Sequence, residues 1–223
     1  MAPAPTRSTS TSRRSGHVRP LRLLVAVVAL ATACAWADGP GPALGGPELQ
    51  RLRAALAAKV DASDEMPGPG ARVTLAGQPV WSAAGPDRVL LSAFTVRFAK
   101  VTNTYCRVGV SDPSFAKVEL IPLPPRAGND ACLHLGPVYW LDVNGDGRLD
   151  AVHGVTVTSN ANGARVVEAV VYLSDPASTT GYCYSGAASA QLTSASLASA
   201  EVVAKKLAAA KKRLQLTTFP CGS

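Results

Sequence analysis

Four oxygen-bearing side chains stand close together two thirds of the way along the chain: Asp142, Asn144, Asp146 and Asp150, in the run Asp142-Val-Asn-Gly-Asp-Gly-Arg-Leu-Asp150. Counted from Asp142 they occupy positions 1, 3, 5 and 9, and Gly147 occupies position 6. Alternate side chains in a tightly curled segment converge on one centre, and carboxylate and amide oxygens are the ligands of a hard cation such as calcium. A glycine at the sixth position allows the sharp turn that such a wrap needs. Arg148 at position 7 would add its backbone carbonyl, and Asp150 would complete the set directly or through a water. Three carboxylates this close repel one another, so the loop is expected to be strained and mobile without a cation and locked with one.

The flanks decide what kind of loop this is. Val138 to Leu141 and Ala151 to Val157 are β-branched or aromatic and carry no helical stripe, so the segment 138–157 reads as a β-hairpin. An EF-hand needs helices there and a bidentate glutamate at position 12, where this chain has His153. With fewer charged ligands, binding is expected near the ~10⁻⁴–10⁻³ M of extracellular modules. A metal-free turn is the competing reading, since Asn-Gly and Asp-Gly close hairpins unaided; such a turn has no need of the further acids at positions 1 and 9.

The run from Asp142 to Asp150, followed by a strand, resembles the calcium loop of the FG-GAP/VCBS (integrin-α-like) repeats, and more loosely the loops of dockerins and thrombospondin type 3 repeats. The resemblance implies Asp142, Asn144, Asp146, Arg148 through its carbonyl, and Asp150 as ligands. It covers about one hairpin, in a single copy and without a Phe-Gly-Gly-Ala-Pro sequence, so it implies no propeller.

No other constellation names a reaction. The chain has no G-x-S-x-G elbow, no H-E-x-x-H and no Gly-rich phosphate loop. His134 and His153 sit in expected strands and read as half-buried structural residues. Asp64-Glu65 is an adjacent pair in a loop, and Trp81, Tyr139 and Trp140 read as core before they read as a ligand groove. The favoured function is a non-catalytic binding or interaction module of the cell envelope with a structural calcium loop. The alternative is an envelope hydrolase with a metal near Asp146, Asp150 and His153.

The elements that must position the loop follow from periodicity. At 47% hydrophobic and 17% charged, the 223-residue chain has the composition of a globular protein with one core or two small ones. Residues 38–47 form a Gly/Pro linker, and 48–223 are expected to be a single domain. A short amphipathic helix carries Leu49, Leu52, Leu56 and Val60 on one stripe. Alternation then marks strands around Val73 and Leu75, Val80-Trp81, Phe94 to Phe98, Cys106 to Val110, Val118 to Leu120, Leu133 to Leu141, Ala151 to Val157 and Val166 to Leu173. A second amphipathic helix spans Leu197 to Leu214, and its Lys205, Lys206, Lys211, Lys212 and Arg213 read as a solvated face, not a nucleic-acid site. The expected fold is α+β: an antiparallel meander of about six to eight strands covered by an N-terminal and a C-terminal helix.

Compartment is read from the first residues and the cysteines. Residues 1–37 have a basic region ending at Arg22, an apolar run from Leu23 to Ala33 and an Ala35-Trp36-Ala37 cleavage pattern, the parts of a secretory signal. The apolar run is too short for a membrane span. The competing readings are a lipid anchor at Cys34, a twin-arginine signal at Arg13-Arg14, and a mitochondrial transit peptide. The leader carries five of the 22 Lys and Arg and none of the 15 Asp and Glu, so the +7 net charge lies mostly there. A secreted or periplasmic protein would be nearly neutral and would oxidise Cys106, Cys132, Cys183 and Cys221 into two disulfides. Three pairings exist, and the sequential one, Cys106 with Cys132 and Cys183 with Cys221, closes local segments and is favoured.

Overall fold

The computed structural model describes residues 42–64, 68–82, 88–122, 124, 131–158 and 162–222. The leader with Cys34, the first part of the linker, Glu65 and the turn and loop segments 85–87 and 126–130 lie outside the described residues.

Helix α1 (Gly46–Asp61) begins where Pro47 sets the backbone and Glu48 accepts the Gly45 N–H at 2.8 Å. Among the described residues ten strands follow, all paired antiparallel: β1 (Ala71–Leu75), β2 (Val80–Ser82), β3 (Val89–Phe98), β4 (Val101–Ser111), β5 (Val118–Leu120), β6 (Ala131–Cys132), β7 (His134–Leu141), β8 (Asp150–Thr158), β9 (Arg165–Ser174) and β10 (Tyr182–Tyr184). The chain continues through a short helix α2 (Gly186–Ser189), a 3-10 turn (Ser194–Ala198) and helix α3 (Ala200–Leu214).

The α+β class holds, but the arrangement is not one meander. The strands form two sheets: β1-β3-β4-β5, with β2 also on β3 and β6 also on β4, and β10-β9-β8-β7. They lie face to face. Leu91, Ala93, Val108 and Val110 from the first sheet, with Ile121 just after β5, share a core with Leu135, Ala151, Val155, Val170 and Tyr172 from the second. The outer face of the first sheet is covered by α1, whose Leu52, Leu56 and Val60 are fully buried against Leu90, Phe94 and Val96. The outer face of the second is covered by α3, whose Val203, Leu207 and Ala210 meet Val152, Val171 and Leu173. The order of layers is therefore helix, sheet, sheet, helix.

Two glycines set how closely the outer layers sit. A Cβ on Gly109 of β4 would lie 2.8 Å from Leu56 Cδ2, and one on Gly154 of β8 would lie 2.8 Å from Leu197 Cδ1. Each central strand thus leaves a gap into which one leucine enters.

The expected helices are present with shifted bounds. Leu197 falls in the 3-10 turn, and α3 starts at Ala200, where the Ser199 hydroxyl accepts the Val202 N–H at 3.3 Å. Strands β6 and β10 are additions to the expected set. They are short, and each is tied by a cystine, Cys106–Cys132 and Cys183–Cys221, so the sequential pairing is the one formed. Among the described residues no helix is long and apolar enough to cross a membrane.

Candidate metal centre

The acidic run forms the connection between β7 and β8, whose register sets Leu141 opposite Asp150 and Trp140 opposite Ala151. Gly145 and Gly147 take φ of 83° and 81°, the left-handed conformation that a side chain would resist. Around them the acidic side chains fold inward onto backbone N–H groups. Asp142 Oδ1 accepts from Gly145 at 2.7 Å and Asp146 at 3.1 Å, and its Oδ2 accepts from Gly147 at 3.0 Å. Asp146 Oδ1 accepts from Arg148 at 2.8 Å. The carboxylates of Asp142 and Asp146 thus bridge the backbone N–H groups of their own loop.

Asp150 differs from the others. It is fully buried, with Oδ2 accepting the N–H groups of Val143 at 2.6 Å and Asn144 at 3.1 Å, and Oδ1 accepting the Ser174 N–H at 2.7 Å. Burial pushes its carboxyl up to about 7, against the pull of the three N–H donors, and the neighbouring Asp146 charge adds to the rise. Asp150 works as a staple that holds the loop to β9. Among the described residues Asp142, Asp146 and Asp150 do not present oxygens all within 4.8 Å of one another. The group that does so among the described residues is Asp175, Cys183 and Cys221, whose two sulfurs are bonded to each other and so are no metal site.

Oxygens converge instead beside Asn144. Its Nδ2 lies 3.1 Å from Asp146 Oδ2, 3.0 Å from Ser174 Oγ and 3.2 Å from Ser174 O, and Ser174 Oγ also donates to Asp146 Oδ2. An amide NH₂ has two hydrogens for these three acceptors. The motif's side-chain oxygens are of the type that a hard cation takes, but the Asn144 amide turns its nitrogen to Asp146 and Ser174, and its Oδ1 accepts the Asp146 N–H at 3.2 Å. From outside the loop, Lys211 of α3 donates to Val143 O at 2.7 Å.

The other candidates are placed elsewhere. His153 is 3% exposed, and strand alternation puts it with Ala151 and Val155 on the face of β8 turned to the first sheet, its ring 5.9 Å from that of Tyr172. Asp150 alternates onto the opposite face, so the structure does not gather Asp146, Asp150 and His153 round one centre. His134 is exposed on an edge strand. Tyr139 donates to Leu197 O at 2.6 Å, Trp140 borders the inter-sheet core, and Trp81 lies under the Arg88 guanidinium at 3.9 Å. The aromatics are structural.

Ser174, Ser82, Tyr182 and Lys211 are contacts that spacing around the motif does not reveal. Strands β8 and β9 pair with Thr158 opposite Arg165 and Ala151 opposite Tyr172, and continuing that register brings Ser174 beside Leu149. The chain matches no protein-family profile, no curated protein and no solved structure.

Proposed function

We propose that this is an exported, non-catalytic protein in which a calcium ion bound by the β7–β8 loop rigidifies one end of a disulfide-bonded β-sandwich, and that the sandwich acts as a binding or interaction module in the periplasm, at the envelope or outside the cell. Asp142, Asn144 and Asp146 would hold the ion through side-chain oxygens and Arg148 through its carbonyl. Asp150 would act mainly as the staple, through water where it reaches the ion. Bound calcium would supply charge neutralisation and cross-linking, with no chemistry on a substrate.

The observation that carries this reading is the pair of left-handed glycines and the carboxylate of Asp142, which accepts three N–H groups of its own loop. A bare two-residue turn needs none of this. Export rests on the pattern of residues 1–37 and on two cystines, which suit an oxidising compartment. A lipid anchor at Cys34 is the second form of the same placement.

The test is thermal melting in 10 mM calcium and in chelator. At a dissociation constant of ~10⁻⁴–10⁻³ M, that concentration stabilises the fold by roughly 1.4–2.7 kcal/mol. The melting temperature should rise by roughly 3–10 °C for a chain of this size. Equal melting temperatures in the two conditions would remove calcium from the account.

A further inference from the structure

We infer that the exposed face of α3 is a docking surface for a membrane that carries anionic phospholipid headgroups. The inference gives the interaction module proposed above a partner class, rests on that part of the reading alone, and uses nothing of the calcium site.

Helix α3 turns Val203, Leu207 and Ala210 to the second sheet. At about 100° per residue, its exposed Val202, Lys205, Lys206, Ala209, Lys212 and Arg213 fall within an arc of about 120° on the other side. Lys211 lies outside that arc and donates to Val143 O at 2.7 Å. Four cations therefore share one face, in two pairs, Lys205 with Lys212 and Lys206 with Arg213, each about 10 Å apart along the axis.

The needs of the helix do not account for them all. The macrodipole favours cations in the last turn, which covers Lys212 and Arg213, but Lys205 and Lys206 stand in the second turn. Glu201 precedes Lys205 by four residues, the spacing of a helical ion pair. Yet among the described residues none of Lys205, Lys206 and Lys212 has a carboxylate within 4.0 Å. Arg213 bonds the neutral Gln191 Oε1 at 2.5 Å, which leaves its charge uncompensated.

The charge is also one-sided. Beyond the leader the chain keeps 17 of its 22 Lys and Arg and all 15 Asp and Glu; α3 holds five of the former and one of the latter, leaving 12 bases against 14 acids elsewhere. A layer of phosphate headgroups is the complement of such a face, because lysines are flexible, hydrated point charges that meet many phosphates without a fixed geometry. Nucleic-acid recognition draws on arginine forks and stacking aromatics. The arc has one arginine and no aromatic residue. Val202, 37% exposed, is its one large apolar group, so the helix would lie at headgroup level and not insert.

Lysine acylation of the full chain in chelator, read by mass spectrometry, tests the face residue by residue. With vesicles of equal parts phosphatidylglycerol and phosphatidylcholine in about 50 mM salt, the amines of Lys205, Lys206 and Lys212 should react several-fold more slowly than without vesicles. Lys100 in the β3–β4 turn and Lys117 before β5 should keep their rates. Pure phosphatidylcholine vesicles, or about 500 mM salt, should give no protection. Combining Lys205→Gln with Lys212→Gln should raise the vesicle concentration that protects Lys206 about 25-fold, at about fivefold per cation. Unchanged rates at the three α3 lysines overturn the inference. Equal slowing at Lys100 and Lys117 overturns it too, since the chain would then meet lipid through another part, the leader included. Protection by a DNA oligonucleotide of equal phosphate concentration, with none from vesicles, assigns the face to nucleic acid and overturns it as well. With chelator present throughout, none of these outcomes bears on the calcium-dependent melting above.

Discussion

The hydroxyl of Tyr182 lies 3.0 Å from Ser82 Oγ, joining two residues 100 positions apart. The same phenol donates to Leu149 O at 3.1 Å, and the Leu149 N–H donates to Ser82 Oγ at 3.0 Å. This closed set ties β2 of the first sheet and β10 of the second to the residue just before Asp150. The end of the sandwich that carries the acidic loop is thus fixed from both sheets.

Removing the phenol oxygen should loosen that junction. Tyr182 and Ser82 are both buried, so Tyr182→Phe strands polar atoms that water cannot reach, at a cost of about 1–2 kcal/mol by urea denaturation. A pH effect accompanies it. Burial, the largest cause, pushes the Tyr182 phenol from 10.0 up to about 12. A group whose pKa is raised in the folded state stabilises that state below its unfolded pKa and ceases to do so as pH climbs through the folded value. Wild type should therefore lose stability between pH 10 and 12 by up to roughly 3 kcal/mol more than Tyr182→Phe does. Parallel curves for the two proteins would show that the phenol is not held neutral by the fold.

Asp142 and Asp150 should separate cleanly on mutation although both are acids of one loop. Asp150→Ala leaves the buried N–H groups of Val143 and Ser174 and the half-buried one of Asn144 without an acceptor and should cost about 3 kcal/mol or more in chelator. Asp142 also accepts three N–H groups, but its loop partners are exposed and water replaces it. Asp142→Ala should cost about 1 kcal/mol in chelator while abolishing the calcium-induced rise in melting temperature. Equal calcium-free stabilities would contradict the division of the loop into staple and ligands.

Much of this was legible in the sequence, and the limits have physical causes. The helix stripes, the β-hairpin flanks of the acidic run and the sequential cystines are local signals. The two-sheet arrangement is not, because strands covered on both sides do not alternate. Val170, which strand periodicity places on an outer side, is 2% exposed in the core between the sheets, while Val166 and Val167 at the far end of β9 are among the exposed large apolar side chains. Ser174, Ser82 and Tyr182 reach the loop only through pairing of strands distant in sequence. The acidic run could therefore be read as a site before the residues that hold it in place could be named.

Gly109 and Gly154 make a paired prediction about the outer layers. Each substitution by alanine forces a methyl to within 2.8 Å of a leucine carbon, Leu56 in one case and Leu197 in the other. Overpacking of this kind costs about 1–3 kcal/mol, since the displaced leucine has to leave a good rotamer. Gly109→Ala should also lower helix content on mild heating, because Leu56 belongs to α1. Pairing each alanine with Leu56→Ala or Leu197→Ala should recover part of the loss in a double-mutant cycle; strict additivity would place the clash elsewhere.

The two cystines should differ in how they open. Cys106 and Cys132 are 7% and 4% exposed in the inter-sheet core, whereas Cys183 is half-buried and Cys221 is exposed near the end of the chain. A reductant acting on the folded protein reaches the second pair first, so brief phosphine treatment and alkylation should label Cys183 and Cys221 by mass spectrometry while the other two stay protected. The bridges span 26 and 38 residues, and on the chain-entropy account each restricts the unfolded chain by about 3.5–4 kcal/mol. Opening Cys183–Cys221 also frees the segment whose Gly222 exchanges backbone bonds of 2.7 Å with Tyr184 and Gly186, and whose Phe219 is buried against α3. The singly reduced protein should melt lower yet keep its inter-sheet core. Equal labelling rates for all four cysteines would mean that the core opens as readily as the C-terminal clasp, contrary to the burial of Cys106 and Cys132.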